Sequence, residues 1–165
     1  MKLNTRDIVY IGFIAALCAV ATTIRIEIPG GAMVHLGSAA LFTTSILFGG
    51  LYGGLGAAIG SALFDLFGGH TQYIVFSFFI KGIAGLIVGG MTAGYLPPSI
   101  NKPIASFGRI LVALIIGAIW TAFGYFIAWW FVLNSAAVAA SKIQYSLITS
   151  AAGIIVAIVL TPKLQ

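Results

Sequence analysis

Charged residues are scarce in this sequence. Only 7% of its 165 residues are charged, whereas 61% are hydrophobic. A soluble domain usually carries about 25% charged residues, so this composition is typical of an integral membrane protein. A membrane-spanning helix needs about 20 mostly apolar residues, and the apolar stretches leave room for about six. We therefore expect a single domain over residues 1–165, an all-α integral membrane protein without a soluble part.

The sequence has a single cysteine and lacks the common catalytic motifs. Cys18 is the single cysteine, which excludes an internal disulfide and a thiolate metal cluster. The sequence has no glycine-rich loop followed by Lys and Ser or Thr, so this chain is not expected to hydrolyse ATP. His35 and His70 are not accompanied by a cluster of further ligands, and no metal site is predicted. No paired nucleophile and base is found either, so an enzyme is not expected.

Six spans can be placed along the chain. The first runs from about Asp7 to Thr23, and the alternating polar and apolar residues of Arg25–Gly31 then predict a short extended segment. No charged residue lies between His35 and Asp65, and this stretch predicts two spans that fold back on each other at the glycine cluster Gly49–Gly54. The other three spans are predicted over Gln72–Tyr95, from about Arg109 to Trp130, and, after a loop at Leu133–Ala140, up to Leu160.

The basic residues divide unevenly between the two ends of these spans. Six spans place both termini on one side, together with Lys2, Arg6, Lys102, Arg109 and Lys163. Arg25 and Lys142 fall on the other side. Cytoplasmic loops are enriched in Lys and Arg, so both termini are predicted to be cytoplasmic. His35, Asp65 and His70 are then expected to lie close together at the extracellular face.

Spans 4, 5 and 6 each carry polar or aromatic residues four positions apart, which places them on one helical face. These are Tyr73, Ser77 and Lys81; Thr121, Tyr125 and Trp129; and Ser141, Tyr145 and Thr149. Asn134 and Gln144 lie at the same level. Three such faces that converge would line a cavity for a small, flat, polar molecule. The alternative is a set of hydrogen bonds and aromatic belts that only join the helices.

Lys81 is the most unusual residue of these faces, because a lysine deep in a span is costly and normally has a partner. One hypothesis pairs it with Asp65 and so ties span 3 to span 4. The other makes it a hydrogen-bond donor to a substrate oxygen. The two roles are compatible with one side chain.

Small residues recur at four-residue spacing, which allows helices to approach closely. The pairs are Ala15/Ala19, Gly49/Gly53, Gly50/Gly54, Gly56/Gly60, Gly85/Gly89 and Gly90/Gly94. Most are expected to pack helices within the chain, and they also leave smooth surfaces where a membrane partner could dock.

Three segments resemble a known family when they are taken together in a chain this short. They are IEIPGGAMVHLG over 26–37, GSALFDL over 60–66 and FIKGIAGLIVG over 79–89. In order and spacing they resemble an S component, the substrate-binding subunit of an energy-coupling factor (ECF) transporter that imports vitamins into bacteria. The resemblance covers essentially the whole chain.

The resemblance implies a multi-pass protein of the bacterial cell membrane that binds a vitamin from outside and delivers it by toppling in the membrane. Its partners would be a transmembrane coupling subunit, contacted through Ala15 and Ala19, and two ATPase subunits that use the ATP. No cofactor of its own and no nucleic acid are implied. Within the family the sequence is most similar to the branch for hydroxymethylpyrimidine or pyridoxine, with riboflavin or another vitamin as the alternative.

The expected site combines two kinds of contact. Tyr125, Trp129 and Tyr145 would stack on the vitamin ring, and Tyr73, Lys81, Asn134 and Gln144 would form hydrogen bonds. His35 and the Arg25–Gly31 segment would form a lid. A hypothesis of another class is a structural or assembly subunit of a membrane complex that binds no ligand.

Overall fold

The computed structural model describes residues 4–28, 32–96 and 105–163. Six helices make up most of this part of the chain: α1 (Thr5–Thr23), α2 (Gly37–Phe48), α3 (Gly50–Phe67), α4 (Ile74–Thr92), α5 (Phe107–Leu133) and α6 (Ala136–Leu160). Two short strands, β1 (Arg25–Ile28) and β2 (Ala32–His35), connect α1 to α2. Short 3-10 turns at Thr71–Tyr73 and Thr161–Lys163 precede α4 and follow α6.

The predicted all-helical membrane architecture with six helices is confirmed, with one difference in length. Five helices are long and apolar enough to cross a membrane, α4 being counted with the 3-10 turn before it. The exception is α2, whose 12 residues rise only about 18 Å, less than the roughly 30 Å hydrocarbon core. The predicted cytoplasmic location of both termini stays a prediction.

The fold-back between α2 and α3 is tighter than predicted, because a single residue, Gly49, forms it. Its φ of +85° lies in the region that favours glycine. The glycines that follow it belong to helix α3 and not to a turn, which corrects the predicted Gly49–Gly54 turn. The amides of Gly50 and Leu51 donate to the carbonyls of Gly94 and Tyr95 (both 2.9 Å). The residues just after α4 therefore supply hydrogen-bond acceptors to the first amides of α3.

The glycines at this end of α3 lie directly against those of α4. A Cβ built on Gly89 would stand 2.3 Å from the backbone nitrogen of Gly50, and one on Gly85 would stand 2.6 Å from the Cα of Gly54. No side chain larger than hydrogen fits there, which confirms intramolecular packing as the reason for these glycine pairs.

The predicted extended segment after α1 is confirmed and is one half of an antiparallel pair. Arg25 pairs with His35, and Glu27 pairs with Met33. Of the predicted Arg25–Gly31 segment, residues 29–31 lie outside the described residues.

The predicted loop Leu133–Ala140 is wrong. Helix α5 continues to Leu133 and α6 begins at Ala136, so only two residues connect them. Asn134 turns the chain with a φ of +51°, and the Ser135 hydroxyl accepts a hydrogen bond from the Val138 amide (3.3 Å) as the N-cap of α6. The predicted loop around Lys102 lies outside the described residues.

Helix α1 is held against α3 by its small residues. A Cβ on Gly60 would stand 2.4 Å from the carbonyl oxygen of Ala15, and one on Gly56 would meet the side chain of Ile14 at 2.4 Å. Ala15 is therefore buried within the chain, whereas Ala19 is half-buried. The predicted docking of a partner through these two alanines stays a prediction, with only Ala19 partly open in this structure.

Candidate functional site

A cavity opens between the helices and encloses about 760 Å³ of empty space, its open mouth included. It is lined by all six helices and strand β2, whereas the sequence predicted a site on spans 4 to 6. Five of the eight predicted site residues line it: His35, Tyr73, Lys81, Tyr125 and Trp129. The convergence predicted for the faces of α4 and α5 is therefore found, and α1 to α3 complete the wall.

Sequence reasoning assigned no role in the site to most of the remaining lining residues. They are Thr22, Met33, Ser38, Ser61, Phe64, Asp65, His70, Ser77, Thr121, Ser146 and Thr149. Ser77, Thr121 and Thr149 belonged to the predicted polar faces. Asp65 and His70 were expected to lie close to His35, and all three line the cavity, whereas their location at the extracellular face stays a prediction. Ser61 and Asp65 are four positions apart on α3 and could have been found by the same spacing, whereas Thr22 of α1 and Ser38 of α2 belong to no such series.

Lys81 lies at the bottom of this site and is 4% exposed. Its Nζ donates a hydrogen bond to the Ser38 hydroxyl (3.1 Å) at the start of α2 and lies 5.4 Å from the centre of the Tyr125 ring. Lys81 and Asp65 do not form the hypothesised ion pair; in the described part of the chain the ion pair present is Arg25–Glu27 at 2.8 Å. An ammonium has three N–H donors, so Lys81 keeps donors for a bound molecule.

An aromatic wall stands beside Lys81 on α5. The rings of Tyr125 and Trp129 lie 5.6 Å apart with an interplanar angle of 31°. The Tyr125 hydroxyl is 3.0 Å from the Ser77 hydroxyl, which fixes the ring relative to α4. Further down, Trp120 Nε1 donates to the Ile80 carbonyl (3.0 Å) and joins the same two helices. The wall is therefore held in place before any ligand binds.

His35 lies at the end of β2 and lines the cavity. The Gly37 amide donates a hydrogen bond to its Nδ1 (3.1 Å), so the proton of the neutral ring is on Nε2. Burial, with the cations Lys81 and Arg25 nearby, lowers the pKa of His35 to about 3. The ring is therefore neutral near pH 7 and has one N–H to donate.

Three predicted site residues lie outside the cavity, which corrects their predicted placement. Asn134 and Gln144 are exposed, and Tyr145 is half-buried without lining the cavity. On α6 the residues that line the cavity are Thr149, which belonged to the predicted face, and Ser146, which did not. The Thr149 hydroxyl also donates to the Met33 carbonyl (3.4 Å) and so connects α6 to β2. Successive helical residues differ by about 100°, so Ser146 and Tyr145 cannot share a face.

Metal chemistry finds no support in the described residues, since they contain no group of three or more His, Cys, Asp and Glu side chains placed to hold an ion. What the cavity offers instead is an ammonium, a carboxyl, two imidazoles, several hydroxyls and an aromatic wall. This combination suits an uncharged, partly aromatic small molecule with many hydrogen-bonding groups.

Comparison with known proteins identifies a matching family, a relative and a similar solved structure. The family model described as the S component of ECF-type riboflavin transporters matches residues 2–165. A Pyrococcus woesei protein, described only as an uncharacterized protein in the gap 3' region, is 29% identical over 142 residues, which are 86% of this chain and 88% of that protein. A solved structure of the S component of a bacterial ECF transporter superposes with a TM-score of 0.73 at 20% identity, over 96% of this chain and 95% of that one. At that identity the structural likeness shows the fold alone.

Proposed function

Because the chain belongs to the family of S components of ECF-type riboflavin transporters, we propose that it binds riboflavin in the cavity described above. As an S component it is a multi-pass membrane protein of a transport system, a substrate-binding subunit without catalysis of its own. The proposal concerns which vitamin it takes and which residues hold it.

The observation that carries the proposal is the ammonium of Lys81 beside a fixed aromatic wall. Riboflavin has a flat isoalloxazine ring with carbonyl oxygens along one edge, and its ring can stack on Tyr125 and Trp129. Lys81 Nζ, 5.4 Å from the Tyr125 ring centre, is placed to donate to an acceptor at the edge of a ring stacked there. A neutral His35 in the cavity wall adds a further N–H.

The family match favours riboflavin over the smaller vitamins. From the sequence, hydroxymethylpyrimidine or pyridoxine was favoured because the chain resembles that branch of the family most, with riboflavin as the alternative. The cavity also uses residues of α1, α2, α3 and β2. A ligand with a fused ring system and a side chain, the kind of vitamin that the family match names, can use contacts from several of these elements at once.

A titration of riboflavin fluorescence with the purified protein in detergent or nanodiscs tests this function. We expect saturable quenching at one riboflavin per chain, with no displacement by excess hydroxymethylpyrimidine or pyridoxine. Displacement by hydroxymethylpyrimidine or pyridoxine would instead support the branch of the family that binds these vitamins. If neither quenching nor a thermal shift occurs with any vitamin, the ligand-free assembly subunit is the better account.

We further propose that delivery requires a transmembrane coupling subunit and two ATPase subunits, as in other ECF systems. The outward face of α1 is apolar, with Val9, Phe13 and Val20 each more than 60% exposed, and Ala19 lies at its edge. Replacing Ala19 by leucine is expected to abolish uptake in cells while riboflavin binding to the purified protein is unchanged. Uptake at the normal rate would contradict docking through Ala19.

A further inference from the structure

The end of α3 and the turn after it place two titratable side chains together in the cavity wall. Gly69, with a φ of +77°, reverses the chain so that the His70 amide donates to the Asp65 carbonyl (2.8 Å). The His70 ring then packs on Phe64, with ring centres 6.2 Å apart. Asp65 and His70 both line the cavity on the side of α3 and the α3–α4 turn, next to Tyr73 and Ser77.

Both side chains have a buried polar atom without a hydrogen-bond partner among the described residues. These atoms are Asp65 Oδ2 and His70 Nε2, and Asp65 is only 7% exposed. The other buried unpaired atoms are the hydroxyls of Thr43, Ser45, Ser150 and Thr161, none of which lines the cavity. A buried polar group without a partner is costly, and the cost is removed when a ligand supplies the missing bond.

We infer that Asp65 and His70, on α3 and the α3–α4 turn, form a subsite for the hydroxyl-bearing chain of the ligand, whereas the ring subsite at Tyr125 and Trp129 is on α5. The inference rests on the proposed flavin-binding function and adds a specificity determinant to it. The ring would lie against α5 and Lys81, and the polyol chain would extend toward the α3–α4 turn.

The chemistry of the two atoms favours hydroxyl groups. A carboxylate oxygen accepts hydrogen bonds, whereas an imidazole nitrogen accepts or donates according to its tautomer. A hydroxyl both donates and accepts, so a run of neighbouring hydroxyls can satisfy both atoms at once. A cationic group is disfavoured, because Lys81 lies in the same cavity and Arg25 lies 5.1 Å from the Phe64 ring beside Asp65.

The test compares riboflavin with lumiflavin, which has the same ring system but a methyl group in place of the hydroxyl chain. Affinities are measured by fluorescence titration for the wild type, Asp65→Asn and His70→Phe. His70→Phe keeps an aromatic ring on Phe64 and removes the nitrogen. Thr43→Val is the matched control, because it removes a buried unpaired hydroxyl outside the cavity at nearly constant shape.

We expect Asp65→Asn to weaken riboflavin binding about tenfold, the effect of losing a charged hydrogen bond, and His70→Phe to weaken it severalfold. Lumiflavin affinity should change less than about twofold in both variants, and Thr43→Val should change neither ligand, since these groups would touch only the chain. An equal loss for both flavins, or no loss in either variant, overturns the subsite. If the wild type binds neither flavin, the proposed function itself fails, and the subsite fails with it.

Melting curves of each variant identify loss of folding. If Asp65→Asn does not fold, His70→Phe alone decides the outcome by the same comparison of two ligands.

Discussion

At one end of the α3–α4 pair the two backbones touch, and at the other end polar residues of the same two helices line a cavity. Gly50 and Gly54 meet Gly89 and Gly85 with no room for a methyl group. One to three turns further along, Ser61 and Asp65 of α3 and Ser77 and Lys81 of α4 line empty space. Neither end is packed by ordinary apolar side chains. At the glycine end the contact has no side chains, and at the cavity end the side chains are polar.

This contrast indicates that the two ends of the helix pair have different roles. The glycine contact fixes the separation and angle of the two helices, and a buried ammonium and carboxyl can then be held apart without forming an ion pair. The polar groups of the cavity are left with free hydrogen-bonding capacity because the glycine end supplies the stability. Substitutions at the two ends should therefore affect different observables.

The largest effect is expected at the glycine end. In Gly89→Ala the new methyl would stand 2.3 Å from the Gly50 nitrogen, and such overpacking costs about 1–3 kcal/mol, or roughly 3–10 °C in Tm for a chain of this size. Thermal unfolding in detergent measures the change. Gly12→Ala is the control, because a Cβ there meets nothing within 4 Å. If both variants melt at the same temperature, the glycine contact does not hold the pair.

Lys81→Met should change binding without loss of stability. It removes the ammonium but keeps an unbranched chain of similar length, and a lost charged hydrogen bond weakens binding about tenfold or more. Removing a buried charge should leave Tm unchanged or higher. Riboflavin titration measures the affinity of this variant, and melting curves measure its stability. A marked fall in Tm at unchanged affinity would make Lys81 a structural residue that acts through Ser38.

Trp129→Leu tests the aromatic wall. Loss of stacking should weaken riboflavin binding by about 0.5–1.5 kcal/mol beyond the lost apolar area, or roughly threefold to tenfold in Kd. The neighbouring Trp130→Leu is the control, because Trp130 is 53% exposed and does not line the cavity. Equal losses in the two variants would place the ring elsewhere.

A smaller effect is expected from pH through His35. Its pKa is about 3 in the folded chain against an ordinary 6.5. As pH falls below 6.5 the unfolded chain takes up a proton that the folded chain does not, so the free energy of unfolding decreases from pH 6.5 toward pH 3. Tm should therefore fall between pH 7.5 and 5, and less so in His35→Gln, which can still accept from the Gly37 amide. An identical fall in both proteins would exclude His35 as its source.

The smallest effect is expected from Gln144→Ala. Gln144 is exposed and does not line the cavity, although the sequence predicted it as a hydrogen-bonding residue. Riboflavin affinity should stay within about twofold of the wild-type value, since a residue that makes no contact contributes no binding energy. A tenfold loss would show that α6 rotates when the ligand binds.

How much of the site could be predicted differs between helices for a physical reason. On α4 and α5 the polar residues stand out against otherwise apolar faces, so four-residue spacing identified Tyr73, Lys81, Tyr125 and Trp129. Helix α6 has two polar series, one through Ser141 and Tyr145 and one through Lys142 and Ser146, and spacing alone does not decide which faces inward.

The hydrogen-bond partner of Lys81 could not be predicted from the sequence either. Asp65 was the natural candidate because opposite charges attract, but tertiary packing brings the start of α2 against α4, and Ser38 accepts the bond. Similarly, the fold-back at Gly49 was predictable from glycine content, whereas its contraction to one residue depends on the carbonyls of Gly94 and Tyr95. Contacts between distant segments decided each of these features.

An experimental structure with riboflavin bound tests the central claim most directly. We predict the isoalloxazine ring in contact with Tyr125 and Trp129, an N–O distance from Lys81 Nζ to a ring acceptor within hydrogen-bonding range, and the hydroxyl chain toward Asp65 and His70. A flavin bound outside this cavity, or a cavity that stays empty at saturating riboflavin, would contradict the account.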